Sequence, residues 1–140
     1  MAEAKVTWLQ DRIFVGTDST KHSVVLSSHG SEGGVGMKPS ELLLVSLAAC
    51  TAVDVVNIFN KRRTPLDALE IRVTGEQDED PPWKYSKIQL SYRITGEGIT
   101  EQAAKRAIEL SEEKYCSVSA SLRGSVDICF DFEILEGEKE

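Results

Sequence analysis

From its amino-terminus the chain offers strands, a long buried helix, two more strands, a second helix and a closing strand. That order predicts an α+β fold with antiparallel pairing rather than a doubly wound parallel sheet. Two observations anchor it. One apolar run extends from Leu42 to Phe59, and two segments, Leu69–Val73 and Ile88–Ile94, alternate apolar and polar residues with a period of two. At 140 residues and 41% apolar side chains, the chain is sized for one domain spanning residues 1–140.

The first 28 residues alternate weakly. Val6, Trp8, Ile13 and Val15, then Val24, Val25 and Leu26, predict two or three strands, with Gly16-Thr17-Asp18-Ser19 as a turn. Ser27 to Met37 carries Gly30, Gly33, Gly34 and Gly36 and is a loop by composition. It lacks the lysine and hydroxyl spacing of a phosphate-binding P-loop.

The first helix starts at Pro39 or Ser40, since proline suits a first turn and Glu41 meets the positive end of the helix dipole. It runs to about Arg63, where Thr64-Pro65 stops it. Apolar residues surround nearly its whole circumference, so neighbours must cover it on most sides. A chain of this length has difficulty doing so alone, which leads to an expectation of partial cover by a second copy.

Leu69, Ile71 and Val73 alternate with Glu70, Arg72 and Thr74, and Ile88, Leu90, Tyr92 and Ile94 with Gln89, Ser91 and Arg93. Both segments predict half-buried strands. The acidic, proline-bearing connection Glu76–Trp83 predicts a solvated hairpin loop, with Trp83 available to fold back over an edge. Thr100 as N-cap and Glu101 in the first turn open a second helix to about Tyr115. Its face of Ala103, Ala104, Ala107, Ile108 and Ser111 suits close packing. Cys116 follows, then the small-residue segment Ser117–Leu122. The last strand alternates Val126, Ile128, Phe130 and Phe132 with Asp127, Cys129, Asp131 and Glu133.

A net charge of −7 argues against a phosphate-binding surface for nucleic acid. Lys61, Arg62 and Arg63 cluster, but at a helix end where they complement the dipole. No leader segment is read at Met1–Lys5, which lacks an apolar stretch. The run from Leu42 to Phe59 is long enough to raise a membrane question, yet Asp54 is costly at a bilayer centre, and a buried helix of a soluble protein is expected. Three cysteines make no disulfide framework, which places the chain in the reducing cytoplasm. His22 and His29 show no metal-ligand spacing, and no metal or cofactor is expected.

The chemistry rests on thiols. Ser46, Cys50 and Asp54 recur every four residues and share one face of the apolar helix. Cys50 sits far from the termini where the helix dipole acts, and an ionised Asp54 one turn on disfavours a thiolate. Locally, then, Cys50 is equally a packed core thiol or a nucleophile, and the second role requires a cation brought from elsewhere. Arg12, Arg62, Arg63, Arg72, Arg93 and Arg123 are the arginines available. Cys129 shares its phase with Asp127 and Asp131, which makes it a poor nucleophile. Cys116, at a helix end among Ser and Ala, is placed where a second thiol could move.

Pro39-Ser40-Glu41-Leu42-Leu43-Leu44, the Leu47-Ala48-Ala49-Cys50-Thr51 stretch and Tyr115-Cys116-Ser117-Val118 resemble the OsmC/Ohr family, the osmotically inducible and organic hydroperoxide resistance proteins. The likeness covers nearly the whole chain and lies closest to the broad OsmC-like branch. It implies antiparallel sheets wrapped around long central helices in an intertwined homodimer, with active sites at the interface. It further implies a thiol-dependent peroxidase acting on organic hydroperoxides, and less readily on hydrogen peroxide. Cys50 would attack the peroxide, Cys116 would close a Cys50–Cys116 disulfide, and a dithiol of lipoyl type would reduce it without metal or flavin. Arg12 is the residue that resembles the family's activating arginine. One departure stands out: ten residues before the cysteine, where the hydroperoxidases carry a glutamate, this chain has Ser40, with Glu41 beside it. The alternative is a non-enzymatic OsmC-like protein that binds a small ligand or senses redox state through Cys50.

Overall fold

The computed structural model describes residues 1–28 and 34–136. The chain forms two compact units, Met1–Leu43 and Leu44–Glu140.

The first unit is built on an antiparallel meander of β1 (Ala4–Gln10), β2 (Ile13–Asp18) and β3 (Ser23–Ser27), in the order β1-β2-β3. A two-residue turn, Asp11-Arg12, joins β1 to β2, with Asp11 at a φ of 46° and the Trp8 indole N–H donating to its carbonyl at 2.9 Å. The next turn lies later than the sequence suggests. Gly16 and Thr17 stay in β2, paired to Val24 and Ser23, and the chain reverses over Asp18–His22. The Asp18 carboxylate organises that reversal by accepting from the N–H groups of Thr20 and His22 and from the Thr20 hydroxyl. These bonds, the His22 N–H first, hold the Asp18 carboxyl below its usual range.

Beyond β3, Met37 bridges back to Leu26 in parallel, with its N–H on the Val25 carbonyl at 2.9 Å. Gly36 is required there, since a Cβ would stand 2.6 Å from the Val25 carbonyl oxygen. His29, Gly30 and Gly33 of the expected loop lie outside the described residues. Helix α1 (Pro39–Lys61) begins in this unit, with Pro39 opening it and Glu41 in its first turn.

In the second unit, β4 (Ala68–Gln77), β5 (Tyr85–Thr95) and β6 (Asp127–Leu135) form a sheet in the order β4-β5-β6. β4 and β5 pair antiparallel as expected, from Leu69↔Ile94 to Glu76↔Lys87. β5 and β6 run parallel, the exception to the antiparallel pairing expected. The reason lies in the connection: residues 96–126 carry α2 (Glu101–Leu110) and α3 (Ser117–Leu122), and a crossover of that length returns the chain to the end where β5 began. The Thr100 hydroxyl caps α2 by accepting from the Ala103 N–H at 3.1 Å. After Leu110, α2 widens into one π turn, Ser111–Tyr115, closed by the Cys116 N–H on the Ser111 carbonyl at 2.8 Å.

The core of this unit joins three stripes: Leu47, Val55 and Phe59 of α1, Ile88, Leu90, Tyr92 and Ile94 of β5, and Ala103, Ala104, Ala107 and Ile108 of α2. The period of two in β5 and the small-residue face of α2 both end up buried, as their spacing predicts. Full burial of a side chain such as Phe59 contributes roughly 1.5–3 kcal/mol. α1 ends at Lys61, with Arg63 turning the chain at a φ of 61°. The β4–β5 loop is solvated, and Trp83 stays with it, 55% exposed, rather than folding over an edge.

α1 is long and apolar enough to cross a membrane by length and composition, but only 33% of its most apolar window is buried. Leu44, Leu47, Ala48, Thr51, Val55 and Phe59 are covered, while Val45, Val53 and Val56 are exposed. The expectation that most of the circumference needs cover is therefore unmet within one chain.

Candidate thiol site

Cys50 lies in the middle of α1, half-buried, and Cys116 lies between the π turn and α3 at 2% exposure. They are 66 residues apart in sequence, and the fold of the second unit makes them neighbours. All three cysteines are free thiols.

The first turn of α3 supplies the rest of the site. Cys116 is its N-cap, its Sγ accepting from the Ser119 N–H at 3.3 Å. Ser117 and Val118, which follow Cys116 in that turn, lie beside Cys50. Burial is the largest single influence on Cys50 and opposes ionisation. The Cys116 thiol, the Val118 and Ser117 amides and the Ser117 hydroxyl together outweigh it, so the Cys50 thiol ionises below its ordinary value. Cys116 moves the other way. Burial, then the Cys50 sulfur beside it, pushes it up to about 12. One sulfur is thus prepared as a thiolate and the other held as a thiol.

This corrects the local expectation for Cys50. The influences that favour its ionisation come from Cys116 and the start of another helix. Asp54 accepts from the Ser111 hydroxyl at 2.7 Å. Arg12 lies in the β1–β2 turn of the first unit, where its carbonyl accepts from the Ser28 N–H at 3.3 Å. Ser40 and Glu41 occupy the exposed first turn of α1. Cys129 sits on β6 with its sulfur 3.8 Å from both carboxylate oxygens of Asp127, the neighbourhood its phase predicts.

Behind the sulfurs lies a polar cluster that the sequence did not single out. The Ser119 hydroxyl donates to Glu112 Oε2 at 2.7 Å. Burial, outweighing the pull of Ser119 and Arg123 and reinforced by Asp54, raises the Glu112 carboxyl above its usual range. The Tyr92 hydroxyl is buried near Thr51, and desolvation, then Glu112, Cys116 and Asp54, raise it against the opposing Thr51 contact. Tyr92 Oη and Glu112 Oε1 are buried without a hydrogen-bond partner among the described residues. One signal was available for Glu112. It continues the four-residue spacing of Ala104 and Ile108, so it is an acid on a buried stripe. Among the described residues no three His, Cys, Asp or Glu side chains gather as a metal site requires.

Known proteins resemble this chain in sequence and fold. The model of the OsmC-like protein family matches residues 29–130. Protein YhfA of Escherichia coli K12 is 32% identical over 133 residues, covering 95% of this chain and 98% of the relative. The crystal structure of a hypothetical protein from Aquifex aeolicus VF5 superposes with a TM-score of 0.87 at 30% identity, over 99% of this chain and 98% of that one. The organic hydroperoxide resistance protein OhrB of Bacillus subtilis shares the fold at a TM-score of 0.65 and 18% identity, over 95% and 98% of the two chains.

Proposed function

The chain belongs to the OsmC-like protein family, and from that premise we propose that it is a thiol-dependent peroxidase for organic hydroperoxides. The observation that carries this is the Cys50–Cys116 contact, in which one sulfur is favoured as thiolate and its neighbour as thiol. That division suits a two-step cycle. The Cys50 thiolate attacks the O–O bond, takes one oxygen as sulfenic acid and releases an alkoxide that leaves protonated as the alcohol. The Cys116 thiol then attacks the sulfenic sulfur. The S–S bond forms, the S–O bond breaks, and the Cys116 proton leaves with the hydroxyl as water. A dithiol reductant supplies two electrons and two protons by exchange to restore both thiols.

Three further parts belong to the same proposal. Residues 1–140 act as one OsmC-like domain, supported by a family match that crosses both units. Two copies form a homodimer in the cytoplasm, supported by the apolar surface one chain leaves open at Val45, Val53 and Val56 of α1. Arg12 serves as the guanidinium of the site, supported by the family resemblance and by the affinity of a thiolate for a cation.

The test is peroxide consumption. Reduced protein mixed with cumene hydroperoxide and dihydrolipoamide is expected to consume the peroxide catalytically, and Cys50→Ser to abolish turnover. Full activity in Cys50→Ser overturns the assignment. Ligand binding without turnover in the wild type returns the protein to the non-enzymatic alternative.

A further inference from the structure

Glu112, in the π turn, holds α3 near both of its ends. Its carboxylate accepts from the Ser119 hydroxyl at 2.7 Å, in the first turn of α3. Its main-chain carbonyl accepts from the guanidinium of Arg123, the C-cap of the same helix. A six-residue helix has too few internal hydrogen bonds to persist by propensity, so its place is set by what grips it. What these contacts hold is the turn that meets the thiol pair, with the Ser119 amide on Cys116 at 3.3 Å and Ser117 and Val118 beside Cys50.

We propose that Glu112 is a positioning residue for the thiol pair, clamping α3 through Ser119 and Arg123 so that the Ser119 amide stays on Cys116 and Cys116 stays beside Cys50. It touches neither sulfur and acts through Ser119. The remaining groups around its carboxylate are Asp54 from α1 and Tyr92 from β5. Asp54 is tied to Ser111, one residue earlier in the same π turn, at 2.7 Å. The π turn is therefore anchored to α1 by Ser111 and to α3 by Glu112, the element that carries Cys50 and the one that Cys116 caps. A carboxylate accepts the Ser119 hydroxyl more strongly than a neutral group does. Its other oxygen, Oε1, has no partner among the described residues, so the clamp is held against a desolvation cost. The inference rests on the activated Cys50 thiolate of the proposed function, but not on peroxide turnover.

The test titrates Cys50 in the full chain without peroxide. Alkylation by iodoacetamide is followed against pH by peptide mass spectrometry in wild type, Ser119→Ala, Glu112→Gln and Glu112→Ala, with thermal midpoints recorded alongside. Ser119→Ala and Glu112→Ala are expected to raise the Cys50 midpoint by about one pH unit, the size of one lost hydrogen bond to a charged group. Glu112→Gln, which keeps an acceptor for Ser119, is expected to fall between them and wild type. Lowered melting temperatures with an unmoved Cys50 midpoint overturn the positioning role, since a merely structural contact gives that pattern. A wild-type midpoint at the ordinary thiol value overturns both this inference and the activated thiolate. A low wild-type midpoint that shifts in the variants, with no peroxide consumed, leaves the clamp standing and overturns the peroxidase alone. Should Glu112→Ala fail to fold, the other two variants decide.

Discussion

Cys116 stands beside Cys50, and the two sulfurs are pushed in opposite directions, Cys50 below its ordinary value and Cys116 above it. Cys50 is favoured as thiolate and Cys116 as thiol. Cys50 is therefore expected to alkylate at a pH below that of a free cysteine, about 8.5, while Cys116 stays largely unmodified through neutral pH. Peptide-resolved alkylation rates between about pH 5 and 9 check this. Equal rates at the two cysteines would break the assigned order. The linkage to stability has opposite signs at the two sites. The lowered Cys50 contributes stability above the unfolded thiol pKa that is lost as pH falls through its folded value, while the raised Cys116 contributes stability that is lost at alkaline pH.

Ser117 offers a cleaner probe of the amide contribution. It is the first residue of α3, where proline is well tolerated, and Cys116 before it already has an extended backbone at φ −77° and ψ 109°. Ser117→Pro therefore removes one N–H and one hydroxyl from beside Cys50 while leaving the helix start intact. The Cys50 midpoint is expected to rise by about one pH unit, with circular dichroism unchanged. A midpoint at the wild-type value would show that Ser117 contributes nothing to the thiolate.

Cys50 also shows how far residue patterns reach. The apolar run, the alternation of β5 and the Thr100 cap each carry their signal within a few residues, and each was legible. The neighbours of Cys50 were not, because Cys116, Ser117 and Val118 lie more than 60 residues away, and the influence of a main-chain amide has no side-chain signature. The need for an outside stabiliser could be derived from the mid-helix position, but not its identity. Parallel pairing of β5 with β6 was equally hidden, since a period of two is common to both ladder types. The helix in Ser117–Leu122 escaped notice because its N-cap is a cysteine rather than Ser, Thr, Asp or Asn.

Glu112 gives a stability signature of its own. Its carboxyl is raised in the folded protein, chiefly by burial. A raised acid favours the fold below its unfolded pKa, and that contribution is lost as pH rises through the folded value. Relative to Glu112→Gln, which does not titrate, wild type is thus expected to lose stability as pH rises above the unfolded glutamate value of about 4.3. Urea denaturation of both proteins across that rise measures the difference. A difference that is flat, or that grows in favour of wild type with pH, would contradict the burial of this carboxylate.

The open face of α1 makes the last prediction. Val53 is 59% exposed on a helix whose opposite face, Leu47, Val55 and Phe59, is fully buried. An isolated exposed valine is ordinary, but Val45, Val53 and Val56 leave one long helix apolar on both sides. If a second copy covers that face, a lysine at Val53 places an unpaired charge in an apolar interface, which is costly when no partner is at hand. Val53→Lys is therefore expected to shift the protein from dimer to monomer in sedimentation experiments, or to make the dimer strongly concentration-dependent. Asn60→Lys, at an exposed polar position on the same helix, serves as the control for added charge. Monomeric wild type, or a dimer that ignores Val53→Lys, would show that this face is not the interface. The fold of one chain should survive the change, because Val53 makes no part of the core joining α1 to β5 and α2.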